Sequence, residues 1–447
     1  MGDFIGAVWW MIVSLGLLVT FHEFGHFWVA RRCGVQVLRF SVGFGKPLWS
    51  RRDRHGTEFV VAALPLGGYV RMLDEREGNV HPAERHRAFN HKPVWQRIAI
   101  VAAGPLANLL LCMLLLWAMF IVGRQDYSAT VGKVQGLAAE SGLRAGERIA
   151  RIGDRQVRTW GEASTQLTLA ALDRQDVSLE AVDSLGDSRR LSLPLSRLPE
   201  HFDEQQVPAL AGLVWQFQQQ PAVVSKVEPG TAADGQLQAG DRILAIDGHS
   251  IDAADQVSGQ ITALGKRGGP GMVEVERNGD RLALELTPRR IGPDWRIGVA
   301  MAPGQAPPYD ARIQYGPLAA VPVAIRETGH ATVDSLGMLK RLVTGQASLK
   351  NVSGPVTIAR VANASAKRGT DWFLYFLAAM SLSLAILNLL PIPILDGGHL
   401  LYYLIELIKG SPLSERAMAA GQYVGLAVLA GLMGLAFYND ILGLLPR

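Results

Sequence analysis

Near the end of the first long apolar run stands His22-Glu23-Phe24-Gly25-His26. Two histidines four apart on a helix project from one face about one turn apart, so both imidazoles can reach a single ion. The carboxylate between them can sit beside that ion and take a proton from water. The setting is unusual, because the run from Phe4 to Phe21 is nearly charge-free and long enough to enter a bilayer. Ionisable groups in such a helix are costly and mark a functional site by default. The competing reading is a chance match inside a membrane anchor, and the rest of the chain has to decide between them.

Length and composition narrow the possibilities. The chain has 447 residues, 49% of them apolar, and a mean hydropathy of +0.15. It is too oily for an ordinary soluble enzyme and too polar for a pure transporter bundle, and it suits a few membrane helices carrying a soluble portion. A net charge of +4 gives no nucleic-acid signature. Cys33 and Cys112 are not placed for a disulfide. The first run lacks the basic start of a signal peptide, and its removal would remove the motif.

Four runs reach spanning length: Phe4 to Ala30, Ile98 to Val122, Trp372 to about Leu395 and Tyr423 to Leu444. From Arg31 to Arg97 there are 13 Lys/Arg against 6 Asp/Glu, which predicts that this loop is cytoplasmic and the N-terminus outside. Within the loop, Phe40–Lys46 and Thr57–Leu64 are β-forming segments, and Pro65-Leu-Gly-Gly-Tyr69 is a turn signal. They read either as a small β-hairpin or sheet against the membrane or as an ordinary loop. The second run opens with Gly104-Pro105-Leu-Ala-Asn108, where small residues allow close helix packing and Asn108 needs a polar partner.

Between about Gly123 and Asp371 no run is long enough to span, and an internal repeat appears. Val131–Ile149 matches Val224–Ile243 at an offset of 93–94 residues. The pattern resembles PDZ domains, two in tandem, which implies small β-rich folds that bind extended peptides at a sheet edge; two β domains serving only as spacers is the alternative. From Pro317 to Lys350, Val333, Leu336, Leu339 and Leu342 recur at helical spacing. This predicts an amphipathic helix, either on the outer membrane surface or packed on its own protein.

The third run ends Asn388-Leu-Leu-Pro391-Ile-Pro393-Ile-Leu-Asp396-Gly-Gly398. The two prolines break regular helix there. If the first run goes inward, the second returns and the third goes inward again, so the first and third are parallel and end in the same leaflet. Asp396 can then reach His22 and His26, and two histidines, a carboxylate and water make an open tetrahedral zinc site.

With His22-Glu23-x-x-His26, Asn388-x-x-Pro391-x-Pro393-x-Leu395-Asp396-Gly397, Gly104-x-x-x-Asn108 and the tandem insert in place, the chain resembles the bacterial site-two proteases, of the regulator of sigma-E protease type. The resemblance covers nearly the whole chain. It implies a multi-pass α-helical membrane protein with four transmembrane helices, a membrane-associated β-hairpin or sheet, and two tandem periplasmic PDZ-like domains of β-rich α+β type. The divisions are 1–30 for the first helix, 31–96 for the β loop, 97–122 for the second helix, 125–218 and 219–305 for the PDZ domains, 306–370 for the amphipathic region, 371–396 for the third helix, 397–422 for a cytoplasmic loop and 423–444 for the fourth helix. The implied cofactor is Zn²⁺ on His22, His26 and Asp396, with Glu23 as general base. Asn388, Pro391, Pro393 and Asn108 are expected at the substrate, together with Val60 and Val61 on an edge strand drawn from the Thr57–Met72 region. The implied substrates are single-span anti-sigma factors already trimmed outside, and remnant signal peptides, cleaved in the bacterial inner membrane in an envelope stress response. The PDZ pair would be a size filter and could hold peptide tails. A PDZ scaffold without catalysis would not need Glu23, a zinc transporter would need more polar groups along its path, and an aspartyl protease would need a second deep aspartate. His399 is the one further histidine to weigh as a ligand, against a structural role.

Overall fold

The computed structural model describes residues 2–76, 78–217, 221–291, 294–302 and 307–444. The chain divides into two compact units, Met1–Gln125 with Arg312–Arg447, and Asp126–Ala311. The first unit runs in order α1 (Gly2–Arg32), β1 (Val37–Arg52), β2 (Glu58–Met72), α2 (Val94–Val122), α3 (Pro317–Val343), α4 (Pro355–Arg368), α5 (Thr370–Leu389), α6 (Asp396–Lys409) and α7 (Glu415–Leu444). Four of these helices, α1, α2, α5 and α7, are long and apolar enough to cross a membrane. The chain is a membrane protein carrying sheet domains. Leu18 of α1, Leu111, Met119 and Phe120 of α2, and Phe376 and Leu382 of α5 form the buried centre of the helical unit.

Two helices lie where sequence reading leaves a loop or an undivided stretch. The third run stops at Leu389 rather than Leu395, and α6 begins at Asp396, the last residue of the expected third helix, and runs to Lys409 through the expected 397–422 loop. Pro391 and Pro393 have no N–H to continue the helix, and the chain turns tightly between them: Ile392 N–H donates to Leu390 O at 2.7 Å and Leu395 N–H to Ile392 O at 2.8 Å. At 14 residues, α6 is too short to read as a span. The other, α4, buries Ala359, Ala362, Asn363 and Ser365. Small and polar residues on the packed face leave little hydrophobic signal to read. Asp440 of α7 fixes the start of α4, accepting from Val356 N–H at 2.8 Å and Thr357 Oγ1–H at 2.6 Å. A carboxylate satisfies exposed amides at a helix N-terminus in this way.

β1 and β2 each bend and pair twice. Ser41 pairs with both Tyr69 and Val60, and Val60 also pairs with Ser50. The sheet therefore runs 47–52, 58–62, 39–42, 68–72 across its width. Val61 likewise pairs with both Val42 and Trp49. This corrects the expectation of an edge at Val60 and Val61: both lie in an interior strand, and their backbone is already engaged. The edge beside α1 belongs to Gly68–Met72, since among the described residues no strand pairs with its outer side. Phe27 of α1 packs on Phe40 and Phe59 and fixes the sheet against the helix.

The second unit contains the sequence repeat as a structural repeat. The first copy has a four-stranded sheet in the order Arg155–Gln156, Arg148–Ile152, Val177–Val182, Ser188–Leu193, with the helix Trp160–Leu172 against it. The second has the same order in His249–Ser250, Arg242–Ile246, Gly271–Arg277, Asp280–Leu286, with the helix Ala254–Arg267. Each copy has its own apolar centre, built on Ile149, Leu167 and Leu179 in one and Ile243, Val273 and Val275 in the other. In the second copy, Arg277 binds buried Asp241 through two 2.7 Å contacts, which holds that carboxyl below its ordinary range.

One ion pair governs where α6 lies. Arg97, in the first turn of α2, makes paired contacts of 3.0 and 2.6 Å with Glu406 of α6 and stacks over Tyr403 at 4.8 Å. Both charged side chains are nearly buried, at 7% and 12% exposure. Removing one partner strands the other charge, at a cost of roughly 3–5 kcal/mol, whereas replacing both by apolar residues is often neutral. We predict that Glu406→Ala lowers unfolding stability in detergent by about that amount. The double variant Arg97→Met/Glu406→Leu should recover most of it. A Glu406→Ala loss below about 1 kcal/mol would contradict the role given to the pair.

Candidate metal centre

The helical repeat of α1 puts His22 and His26 on one face, their rings edge-to-face with centroids 4.8 Å apart. Both are buried, at 8% exposure. They fit there because α2 offers no side chain at the contact. A Cβ on Gly104 would lie 2.2 Å from His26 Nε2 and 2.8 Å from His22 Cε1, and a Cβ on Gly25 would lie 2.2 Å from Ala103 O. No real side chain tolerates those distances, so the helices meet backbone to backbone at this level.

His26 Nδ1 lies 2.8 Å from Ile100 O. A carbonyl only accepts, so Nδ1 carries the proton and Nε2 presents a lone pair. His22 Nε2 is 3.2 Å from His26 Nε2. The third atom is Asp396 Oδ2, 3.1 Å from His22 Nε2 and 3.5 Å from His26 Nε2. It is buried, and despite these distances it has no partner in hydrogen-bonding geometry among the described residues. His26 Nε2 and the Asp396 carboxylate oxygen are both acceptors, and acceptors facing one another repel unless something positive lies among them. Donors about 2.0–2.1 Å from one tetrahedral ion stand about 3.3 Å apart, against the 3.1, 3.2 and 3.5 Å observed. The donor set of two imidazoles and a carboxylate fits zinc.

Asp396 is delivered by the turn after α5. A Cβ at Gly397 would meet Leu390 O at 2.2 Å, and one at Gly398 would meet Ile392 O at 2.4 Å, so this turn closes only over two glycines. As the first residue of α6, Asp396 lies at the positive end of that helix, which favours its carboxylate. Glu23 is half-buried on the next position of α1, beside the Gly68–Met72 sheet edge. A Cβ on Gly68 would stand 3.4 Å from Glu23 Cγ.

The other expected residues fall at different distances from this centre. Asn108 is fully buried, with Nδ2 3.4 Å from His22 Nδ1. Asn388 is half-buried in the last turn of α5, Pro391 is exposed, and Pro393 packs where α7 passes at Gly425. Val60 and Val61 lie inside the sheet. The cluster of three donors does not include His399, which lines a cavity with Pro393, Ile394 and Tyr423. Sequence reading missed Ile100, Gly68 and the Arg97–Glu406 pair. Ile100 acts through its carbonyl, which no side-chain pattern announces, and the ion pair joins residues 309 apart in the chain. Gly68 was visible only as a turn signal.

The profile of peptidase family M50 matches residues 10–432. A Xylella fastidiosa (strain 9a5c) protein named "Putative zinc metalloprotease" is 63% identical over 444 residues, covering 99% of this chain and 100% of the relative. "Protease RseP" of Yersinia pestis is 41% identical over 443 residues, covering 96% and 97%. "Regulator of sigma-E protease RseP" of Escherichia coli (strain K12) is 40% identical over 437 residues, with the same coverage. A converging His-His-Asp donor set with a glutamate beside it, in a chain matched over almost its whole length, leads to one conclusion: the chain belongs to peptidase family M50, the site-two proteases, and is a zinc metalloprotease.

Proposed function

We propose that this protease cuts single-span membrane proteins within the bilayer, using His22, His26 and Asp396 as zinc ligands and Glu23 as general base. The observation that carries this reading is the convergence of three donor atoms, two from α1, which is long and apolar enough to span, and one from the start of α6, just past the end of α5, which is also long and apolar enough. Zinc there, when bound, supplies Lewis acidity for a peptide carbonyl and acidifies water. Glu23 takes the proton of the attacking water and gives it to the leaving amine.

A substrate helix hides its peptide bonds in its own hydrogen bonds, so it must unwind locally. The Gly68–Met72 edge, next to Glu23, has no further strand on its outer side among the described residues, which suits an extended segment added there. Asn388 and the broken backbone at Pro391 and Pro393 would help to hold the unwound stretch. The excess of Lys/Arg in 31–97 supports a cytoplasmic position for that loop in the inner membrane, with the N-terminus and the repeated domains in the periplasm. Both copies of the repeat are read as PDZ domains on their matching sheets and helices. Names among the relatives refer to regulation of sigma-E; on this reading the substrate is an anti-sigma factor already trimmed outside, with remnant signal peptides as a second class. The PDZ pair would bar untrimmed proteins.

Three outcomes follow. Glu23→Gln should lower cleavage of a trimmed single-span substrate by about 10²–10⁴-fold while bound zinc, quantified in both proteins, stays unchanged; equal cleavage would remove Glu23 from the chemistry. Of Tyr69→Pro and Val70→Pro, the one whose N–H faces outward should lose cleavage with thermal midpoint and zinc intact, and normal cleavage by both would rule out strand addition at this edge. Deleting residues 127–305 should allow cleavage of an untrimmed substrate, and an unchanged requirement for trimming would rule out the filter.

A further inference from the structure

We propose that Asn108 is a positioning residue for zinc, accepting the Nδ1–H of His22 through its amide oxygen, and does not contact substrate. The proposal rests on His22 being a zinc ligand.

Three residues of α2 at helical spacing, Ile100, Gly104 and Asn108, face the two imidazoles. The Ile100 carbonyl takes the Nδ1–H of His26, Gly104 leaves room for both rings, and Asn108 lies at His22 Nδ1. Each histidine thus turns one nitrogen towards Asp396 and the other towards α2. A histidine that ligates through Nε2 carries its proton on Nδ1 and needs an acceptor there. The amide as placed points Nδ2, a donor, at Nδ1, at 3.4 Å, while its Oδ1 is buried without a hydrogen-bond partner among the described residues. Amide oxygen and nitrogen have nearly the same shape, and their assignment follows from the network. Either orientation leaves one amide atom unpaired, so counting partners does not choose between them. The proton on Nδ1 does choose, because two donors cannot bond, and the amide oxygen belongs at His22.

Burial argues in the same direction. Asn108 has 0% exposure, which leaves substrate no access to it. Its own carbonyl accepts from Ser381 Oγ–H at 2.7 Å, holding this turn of α2 against α5. A buried amide in an apolar bundle is costly unless it has such work.

The test is zinc affinity of the full-length protein in detergent, by competition with a chelator. Asn108→Leu keeps the size but removes the acceptor, and should weaken zinc binding by about 10–100-fold. Asn108→Asp can accept but not donate, and should stay within about threefold of the unaltered protein, as histidines paired with carboxylates do. Asn108→Leu binding zinc normally would overturn the proposal, and so would Asn108→Asp binding as weakly as Asn108→Leu. If Asn108→Leu does not fold, Asn108→Asp still decides: a tenfold loss there would mean that the amide donates. His22→Ala separates the premises. Zinc retained in that variant refutes the ligand reading itself, whereas zinc lost there but normal in Asn108→Leu refutes only the role of Asn108.

Discussion

The centre depends on a backbone contact that no side chain could share. At Gly25 and Gly104, α1 and α2 approach until an added Cβ on either would overlap the other helix or its imidazoles. Two polar rings are thereby enclosed inside apolar helices, where an unpaired imidazole costs several kcal/mol. The same contact brings the α2 main chain and Asn108 within reach of both Nδ1 atoms, which leaves both Nε2 atoms facing Asp396. Close packing, burial and ligand orientation are one geometric fact seen from three sides.

The carboxylate comes from the far end of the chain, and its placement needs a different device. A spanning helix that ran on past Leu389 would carry Asp396 away from the histidines. The prolines stop it, the paired glycines let the chain fold back on itself, and α6 starts again with Asp396 at its positive end. Arg97 and Glu406 then pin α6 to the start of α2, the same helix that packs on the histidines. In this way α2 serves as the reference surface for every donor, although it supplies none of them. The sheet is tied to the same place through Phe27, Phe40 and Ile100, which share one buried cluster, and its Gly68–Met72 edge ends up beside Glu23.

Much of this is legible in the sequence. Charge-free runs mark the spanning helices because the bilayer allows little else. The His22-Glu23-x-x-His26 spacing fixes a shared face, and counting passes puts Asp396 at the matching end. The repeat shows two like domains before any strand is assigned. What stays hidden is what local pattern does not encode. Val60 and Val61 look like half of a hairpin, and only the second bend of each strand puts them in the interior. Short α6 and small-residue α4 lack a hydrophobic signal of spanning length. Asn108 reads as a polar group in need of a partner, and that the partner is His22, 86 residues away, follows only from the packing.

The central claim is that one zinc ion is held by two imidazoles and one carboxylate from the two ends of this chain. X-ray absorption at the zinc edge, on the full-length protein in detergent, tests it most directly. The account predicts only nitrogen and oxygen neighbours at about 2.0–2.2 Å, near tetrahedral number, with the outer scattering of two imidazole rings. A sulfur neighbour at about 2.3 Å, or scattering from one imidazole or none, would contradict it.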